Sequence, residues 1–253
     1  MALVEIRGIE KYFGGVAALQ GVDFSVNGSE VVGLIGPNGA GKSTLFNIIS
    51  GFFPPSSGKV IFKGEDITGL KADRIARKGI GRTFQAPTLF MQSTVFDNVF
   101  TAFHMRYKQP LWKAFLHTPF ARAEEEIAKE KTMEILGFVG LASQKDKIAE
   151  NLSSGWQKTL AIAIALTTNA ELLLLDEPVT TLSPDRVEII MKLVSKIRDT
   201  GTTVLIIEHN MKAIMDYCDR IIVLAYGKRI AEGLPSQIRI NKEVIESYLG
   251  EIG

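Results

Sequence analysis

Apolar and polar positions alternate loosely over the first thirty residues, with Leu3 followed by Glu5 and Arg7, and with Val22, Phe24 and Val26 spaced two apart. A period of two sends successive side chains to opposite faces of a strand. Gly14-Gly15 and Asn27-Gly28 supply turn chemistry beside these runs, so the segment predicts antiparallel strands and hairpins. KVIFKGEDI at 59–67 carries the same pattern. Three other runs are continuously apolar and end at polar residues: VVGLIG (31–36), LLLLDE (172–177) and TTVLIIEH (202–209). Such runs are expected of parallel strands buried on both faces. Helical stretches separate them, which predicts a doubly wound α/β core.

Between about residues 90 and 165 the pattern turns helical. In the stretch 121–141, Glu125 precedes Lys129 by four residues, and Ile127, Met133, Ile135 and Leu136 form the expected apolar side. This block reads as a helical subdomain inserted within a single domain spanning 1–253. A further amphipathic helix is expected over 186–198, and RIIVLAYGKRIAEG (220–233) predicts a hairpin turning at Tyr226-Gly227.

Composition narrows the function classes. The 253 residues carry a formal net charge of +1, which leaves no basic footprint of the kind nucleic-acid binding requires. No nucleic-acid partner is expected. The single cysteine, Cys218, has no internal disulfide partner. With no secretory leader read at the N-terminus, a reducing cytoplasm is the expected location. No apolar run approaches the roughly 20 residues that cross a bilayer, so any role at a membrane is expected to be peripheral, on its inner face.

Two motifs carry chemistry. Gly36-Pro37-Asn38-Gly39-Ala40-Gly41-Lys42-Ser43-Thr44 fits G-x-x-x-x-G-K-[ST] in full, follows an apolar strand and opens a helix. Its glycines let backbone N–H groups turn toward phosphate oxygens, and the helix N-terminus favours the anion. Lys42 is expected to reach the β- and γ-phosphates, and the Ser43 hydroxyl to coordinate Mg²⁺. LLLLDEP (172–178) supplies the complement. Asp176 is placed to hold the Mg²⁺ shell, and Glu177 to orient and deprotonate an attacking water. The expected fold is therefore a P-loop NTPase core of mainly parallel sheet with helices on both faces. An N-terminal antiparallel β subdomain and the inserted helical subdomain complete it.

Strand, phosphate loop, helical block, LSSGWQK (152–158), LLLLDEP and EH, in that order, resemble the ATP-binding subunit of an ABC transporter over essentially the whole chain. The resemblance implies further roles. Phe13, with Tyr12 as its neighbour, would stack on adenine. Gln85 would touch Mg²⁺ and the γ-phosphate region. His209 would sense the γ-phosphate beside the catalytic Glu177. Ser153, Ser154, Gly155 and Trp156 would form the signature that caps the γ-phosphate held by a second ATP-binding subunit. The implied cofactors are ATP and Mg²⁺. The implied partners are that second subunit, as homo- or heterodimer, integral membrane permease subunits and, indirectly, a substrate-binding protein.

The chain departs from the family pattern at shared surfaces. Ser154 stands where glycine is common, Trp156 where glutamine is common, Ile164 where arginine is usual, and Ser183 where Asp or Asn is usual. None of these touches Lys42, Asp176, Glu177 or His209, which implies a working ATPase, weak unless paired with a complementary subunit. Within the family the chain is similar to subunits of branched-chain amino acid importers, through 79–99, the stretch 104–126 and the ending 244–251. Lipopolysaccharide or urea is the alternative cargo, and a weakly hydrolysing regulatory partner in a heterodimer the alternative role. Leu89, Phe90 and Met91 are the expected docking patch for a membrane subunit.

Overall fold

A computed structural model describes residues 2–84, 88–106 and 119–249. Two compact units emerge, one formed by 1–85 with 171–253 and the other by 86–170.

In the first unit, β1 (Ala2–Phe13) and β2 (Val16–Asn27) pair antiparallel. With β4 (Ser57–Phe62) and β5 (Glu65–Asp66) they form a four-stranded sheet of order β2-β1-β4-β5. The alternation in the sequence becomes an inner face of Val4, Ile6, Val22 and Val26, each 2% exposed or less.

The three continuous runs become β3 (Val31–Ile35), β7 (Leu172–Asp176) and β8 (Thr203–Ile207), buried at every position. Strands built of Val, Ile and Leu in this way are stable only where both faces are covered, since each such side chain fully buried contributes about 1.5–3 kcal/mol. Together with β6 (Ile80–Arg82), β9 (Arg220–Ala225) and β10 (Lys228–Gly233) they form a six-stranded sheet of order β10-β9-β3-β8-β7-β6. Pairing is parallel except between β9 and β10, which turn at Tyr226-Gly227. The three-residue β6 was not anticipated from the pattern.

Helix α1 (Lys42–Ile49) follows β3, α2 (Ala72–Arg77) precedes β6, and α6 (Pro184–Asp199) lies between β7 and β8. Residues of α1 and of both sheets share one apolar cluster, in which Phe46 and Leu45 are fully buried. After β8 comes α7 (Met211–Tyr217), and α8 (Pro235–Ile238) and α9 (Lys242–Leu249) end the described chain. Cys218 is buried, and burial pushes its thiol up to about 12.

The second unit holds α3 (Val95–Arg106), α4 (Pro119–Phe138) and α5 (Ser154–Leu166). Glu125 and Lys129 pair at 3.0 Å as their spacing suggested. Of the expected apolar side of α4, Leu136 is buried and Met133 and Ile135 are half-buried. Ile127 is the correction: it is 48% exposed, whereas Ala128 and Thr132 are buried. Small residues fit where helices pack closely, so the buried stripe carries less hydrophobic signal than its exposed neighbour. Among the described residues no helix is long and apolar enough to cross a membrane. Part of the stretch 104–126, residues 107–118, lies outside the described residues.

Candidate functional site

The central strands β3, β8 and β7 lie side by side and run parallel. Their carboxyl ends therefore deliver three loops to one place, the usual position for a ligand in an open α/β sheet. The loop after β3 is the glycine-rich stretch, β7 ends in Asp176-Glu177, and β8 leads to Glu208-His209. A cavity of about 250 Å³ opens there, bordered by Asn38, the segment 39–44, Ala18, Glu177 and His209.

Two glycines make the loop possible. Gly36 has φ 148°, and a Cβ there would stand 1.9 Å from the Leu224 carbonyl oxygen. Gly41 caps α1 at φ 100°, where a Cβ would meet the Ala18 carbonyl oxygen at 2.6 Å. The β9–β10 turn supports the loop from behind, since the Gly227 N–H donates to the Ala40 carbonyl at 3.2 Å. Lys42 is buried and its ammonium donates to the Gly36 and Pro37 carbonyls at 2.7 and 2.8 Å. Ser43 is exposed beside it on the cavity wall. The result is a preformed cationic cradle for an anion.

Glu177 faces this cradle. Its Oε1 lies 3.0 Å from His209 Nε2, and its Oε2 accepts from the Thr180 hydroxyl at 3.3 Å. Its backbone has φ 50°, an uncommon region for a non-glycine residue and one that recurs at functional sites. The Glu177 N–H donates to the Ile207 carbonyl at 2.9 Å, which fixes the turn against β8.

Asp176 lies one residue back and is 8% exposed at its side chain. Its Oδ2 pairs with Arg82 at 3.1 Å, and its N–H donates to the Thr83 hydroxyl at 3.2 Å. Burial pushes the Asp176 carboxyl up, while the Arg82 charge opposes that rise. The same burial lowers the Arg82 guanidinium, with Asp176 opposing. Among the described residues no group of three or more His, Cys, Asp or Glu could enclose a metal. A hydroxyl and one carboxylate beside a phosphate cradle nonetheless suit Mg²⁺, which keeps its waters and takes one or two carboxylates plus phosphate oxygens.

Two residues of the site escaped the sequence reading. Arg82 is the first. The second is Glu208, 2% exposed, whose Oε1 accepts the Val179 N–H at 2.7 Å and whose Oε2 accepts the His209 N–H at 3.0 Å. It ties the turn after Glu177 to the turn bearing His209. A charged residue closing a continuous apolar strand was the available signal.

The remaining expected residues are distributed as follows. Phe13 ends β1, is 48% exposed and is not among the cavity-lining residues. Its ring meets Phe53 edge-on at 5.4 Å, with the Lys11 ammonium 5.2 Å from its centroid. Gln85 lies outside the described residues. Within the second unit, Ser153 caps α5 and Ser154 opens it. Ser154 has no positive φ, so the glycine common at this position is not required by the backbone. The Trp156 N–H already donates to the Ser153 carbonyl at 2.9 Å. The N–H groups of Ser154 and Gly155 precede that first helical bond. Ser183 occupies the N-cap position of α6 without a side-chain cap hydrogen bond, and Pro184 opens the helix.

A phosphate cradle, a carboxylate–imidazole pair facing it and a buried aspartate at the end of β7 define a nucleotide-binding ATPase-type site on a P-loop fold. The ABC transporter family profile matches residues 19–180, and the chain belongs to that family. It is 39% identical over 250 residues to the high-affinity branched-chain amino acid transport ATP-binding protein LivG of Escherichia coli, covering 98% of both chains. Among solved structures, the ADP conformation of an ATP-binding cassette of an ABC transporter matches with TM-score 0.87 and 35% identity over 99% of each chain. A dimeric post-hydrolysis cassette bound to ADP and Pi matches with TM-score 0.76 and 27% identity, covering 92% of this chain and 98% of that one.

Proposed function

We propose that this chain is the ATP-hydrolysing subunit of an importer for branched-chain amino acids. The observation that carries the reading is the pairing of Glu177 with His209 across one small cavity from Lys42. In that arrangement Glu177 orients a water toward the γ-phosphate and takes its proton, the role of a general base. His209 holds Glu177 Oε1 at 3.0 Å and faces the same cavity, so it responds when the phosphate leaves. Lys42 moves its ammonium from loop carbonyls to phosphate oxygens as nucleotide binds. Mg²⁺, held by Ser43 and Asp176, would supply charge neutralisation at the phosphate oxygens. Phe13 offers an exposed ring face to adenine, and Gln85 completes the family's set of nucleotide contacts.

Two chains would sandwich two nucleotides, with Ser153 and the N–H groups of Ser154 and Gly155 at a helix start capping a phosphate on the partner. The Trp156 N–H, already given to the Ser153 carbonyl, is not one of the capping donors. Likeness to a dimeric cassette and to LivG supports this arrangement. The family's membrane subunits would dock on the second unit. There the buried Asn98 side chain bonds both the N–H and the carbonyl of Phe90, holding Phe90 56% and Met91 37% exposed. Exposed apolar side chains on a fixed backbone suit a helix-in-groove contact.

Cargo is tested in vesicles containing this subunit, its membrane subunits and a substrate-binding protein. Leucine, isoleucine or valine is expected to stimulate hydrolysis several-fold and to accumulate inside. Stimulation by lipopolysaccharide or urea alone would overturn the cargo and leave the ATPase reading intact.

A further inference from the structure

Arg82 sits at the end of β6, where its backbone pairs with Leu174 on β7. Its side chain is 8% exposed and bridges α1 and β7. One terminal nitrogen donates to Asn47 Oδ1 and Ser50 Oγ, both at 2.7 Å. The other donates to Asp176 Oδ2 at 3.1 Å. The guanidinium carbon Cζ lies 5.8 Å from the Phe46 ring centroid and 4.9 Å from that of Phe84. Asn47 lies on the same helix, α1, that Lys42 and Ser43 open, and Ser50 caps its far end.

Burying a guanidinium is costly, and this one keeps its Nε without a hydrogen-bond partner. A charge needed only to balance Asp176 could sit nearer solvent. The fork geometry instead fixes the Asp176 carboxylate to the helix of the phosphate loop, using a planar donor set that lysine lacks. With Oδ2 occupied, the orientation of the whole carboxylate is set, and so is the direction in which Oδ1 faces.

We propose that Arg82 is a positioning residue for the metal–nucleotide complex. It locks the Asp176 carboxylate to α1, so that the aspartate and the phosphate loop present one fixed set of oxygens. The proposal rests on the reading of Asp176 as the residue serving Mg²⁺. Partners of a metal-binding carboxylate affect metal affinity by about 10–100-fold when removed.

The test uses Arg82→Gln and Arg82→Lys, with nucleotide binding measured by fluorescence titration of an ATP analogue in EDTA and then against increasing Mg²⁺. Expected is an unchanged affinity in EDTA in both variants, with the Mg²⁺ concentration for half-maximal enhancement raised about tenfold in Arg82→Gln. Arg82→Lys keeps the charge and so guards against misfolding. It is expected to show a smaller increase, because one ammonium does not span Asn47, Ser50 and Asp176. An unchanged or lowered Mg²⁺ requirement in Arg82→Lys would overturn the proposal. A parallel loss of affinity in EDTA would overturn it too, by placing the effect on the phosphate loop. An Asp176→Asn variant that shows no Mg²⁺ effect would instead remove the reading beneath it, which distinguishes the two failures.

Discussion

Glu177→Gln is expected to lower the steady-state ATPase rate by about 10²–10⁴-fold, the usual scale for removing a general base. The substitution keeps the size and the hydrogen-bonding length of the side chain. His209 Nε2 and the Thr180 hydroxyl, at 3.0 and 3.3 Å, would therefore still have a partner at 177. The amide does not accept the water proton. ATP binding should persist, since the cradle of Lys42 and the glycine loop is untouched. The measurement is phosphate release alongside nucleotide affinity. Turnover within a few-fold of the unsubstituted protein would assign the base elsewhere.

Lys42→Ala is expected to fail earlier, at binding. The ammonium is buried and held by two carbonyls of its own loop, at 2.7 and 2.8 Å. Those bonds preserve a desolvated cation where phosphate arrives. A hydrogen bond to a charged group contributes about 1.5–3 kcal/mol, so affinity for ATP should fall by about 10–10²-fold. Alanine also removes the tie between loop and helix start, which widens the loss. Equilibrium titration distinguishes this from the Glu177 variant, since here affinity and rate fall together. Unchanged affinity would refute the phosphate-loop assignment.

Much of this architecture could be read along the chain because its signals are local. Continuous apolar runs became the buried strands β3, β7 and β8, and the chemical residues followed directly at their carboxyl ends. Helix α4 shows where such reading fails. Leu136 is buried as expected, but Ala128 and Thr132 carry the rest of the buried stripe while Ile127 faces outward, so hydrophobicity alone misplaced that one position. Strand β6 was too short to show a period. Arg82 and Asp176 are 94 residues apart in sequence, and only the parallel pairing of β6 with β7 brings them together. Glu208 is similar, since its acceptor role depends on the Val179 turn reached from another strand. Local motifs picked out residues that the fold gathers around one cavity, among them Lys42, Ser43, Glu177 and His209. The residues that hold those atoms in place are set by tertiary contacts.

The central claim is a two-chain, two-nucleotide engine, and the slow-turnover variant tests it directly. Sedimentation of Glu177→Gln with Mg²⁺ and ATP, with bound nucleotide quantified in each species, gives both stoichiometries at once. Two chains carrying two ATP molecules are expected, reverting to one chain when ADP replaces ATP. A single chain saturated with one ATP, at concentrations well above its dissociation constant, would contradict the account.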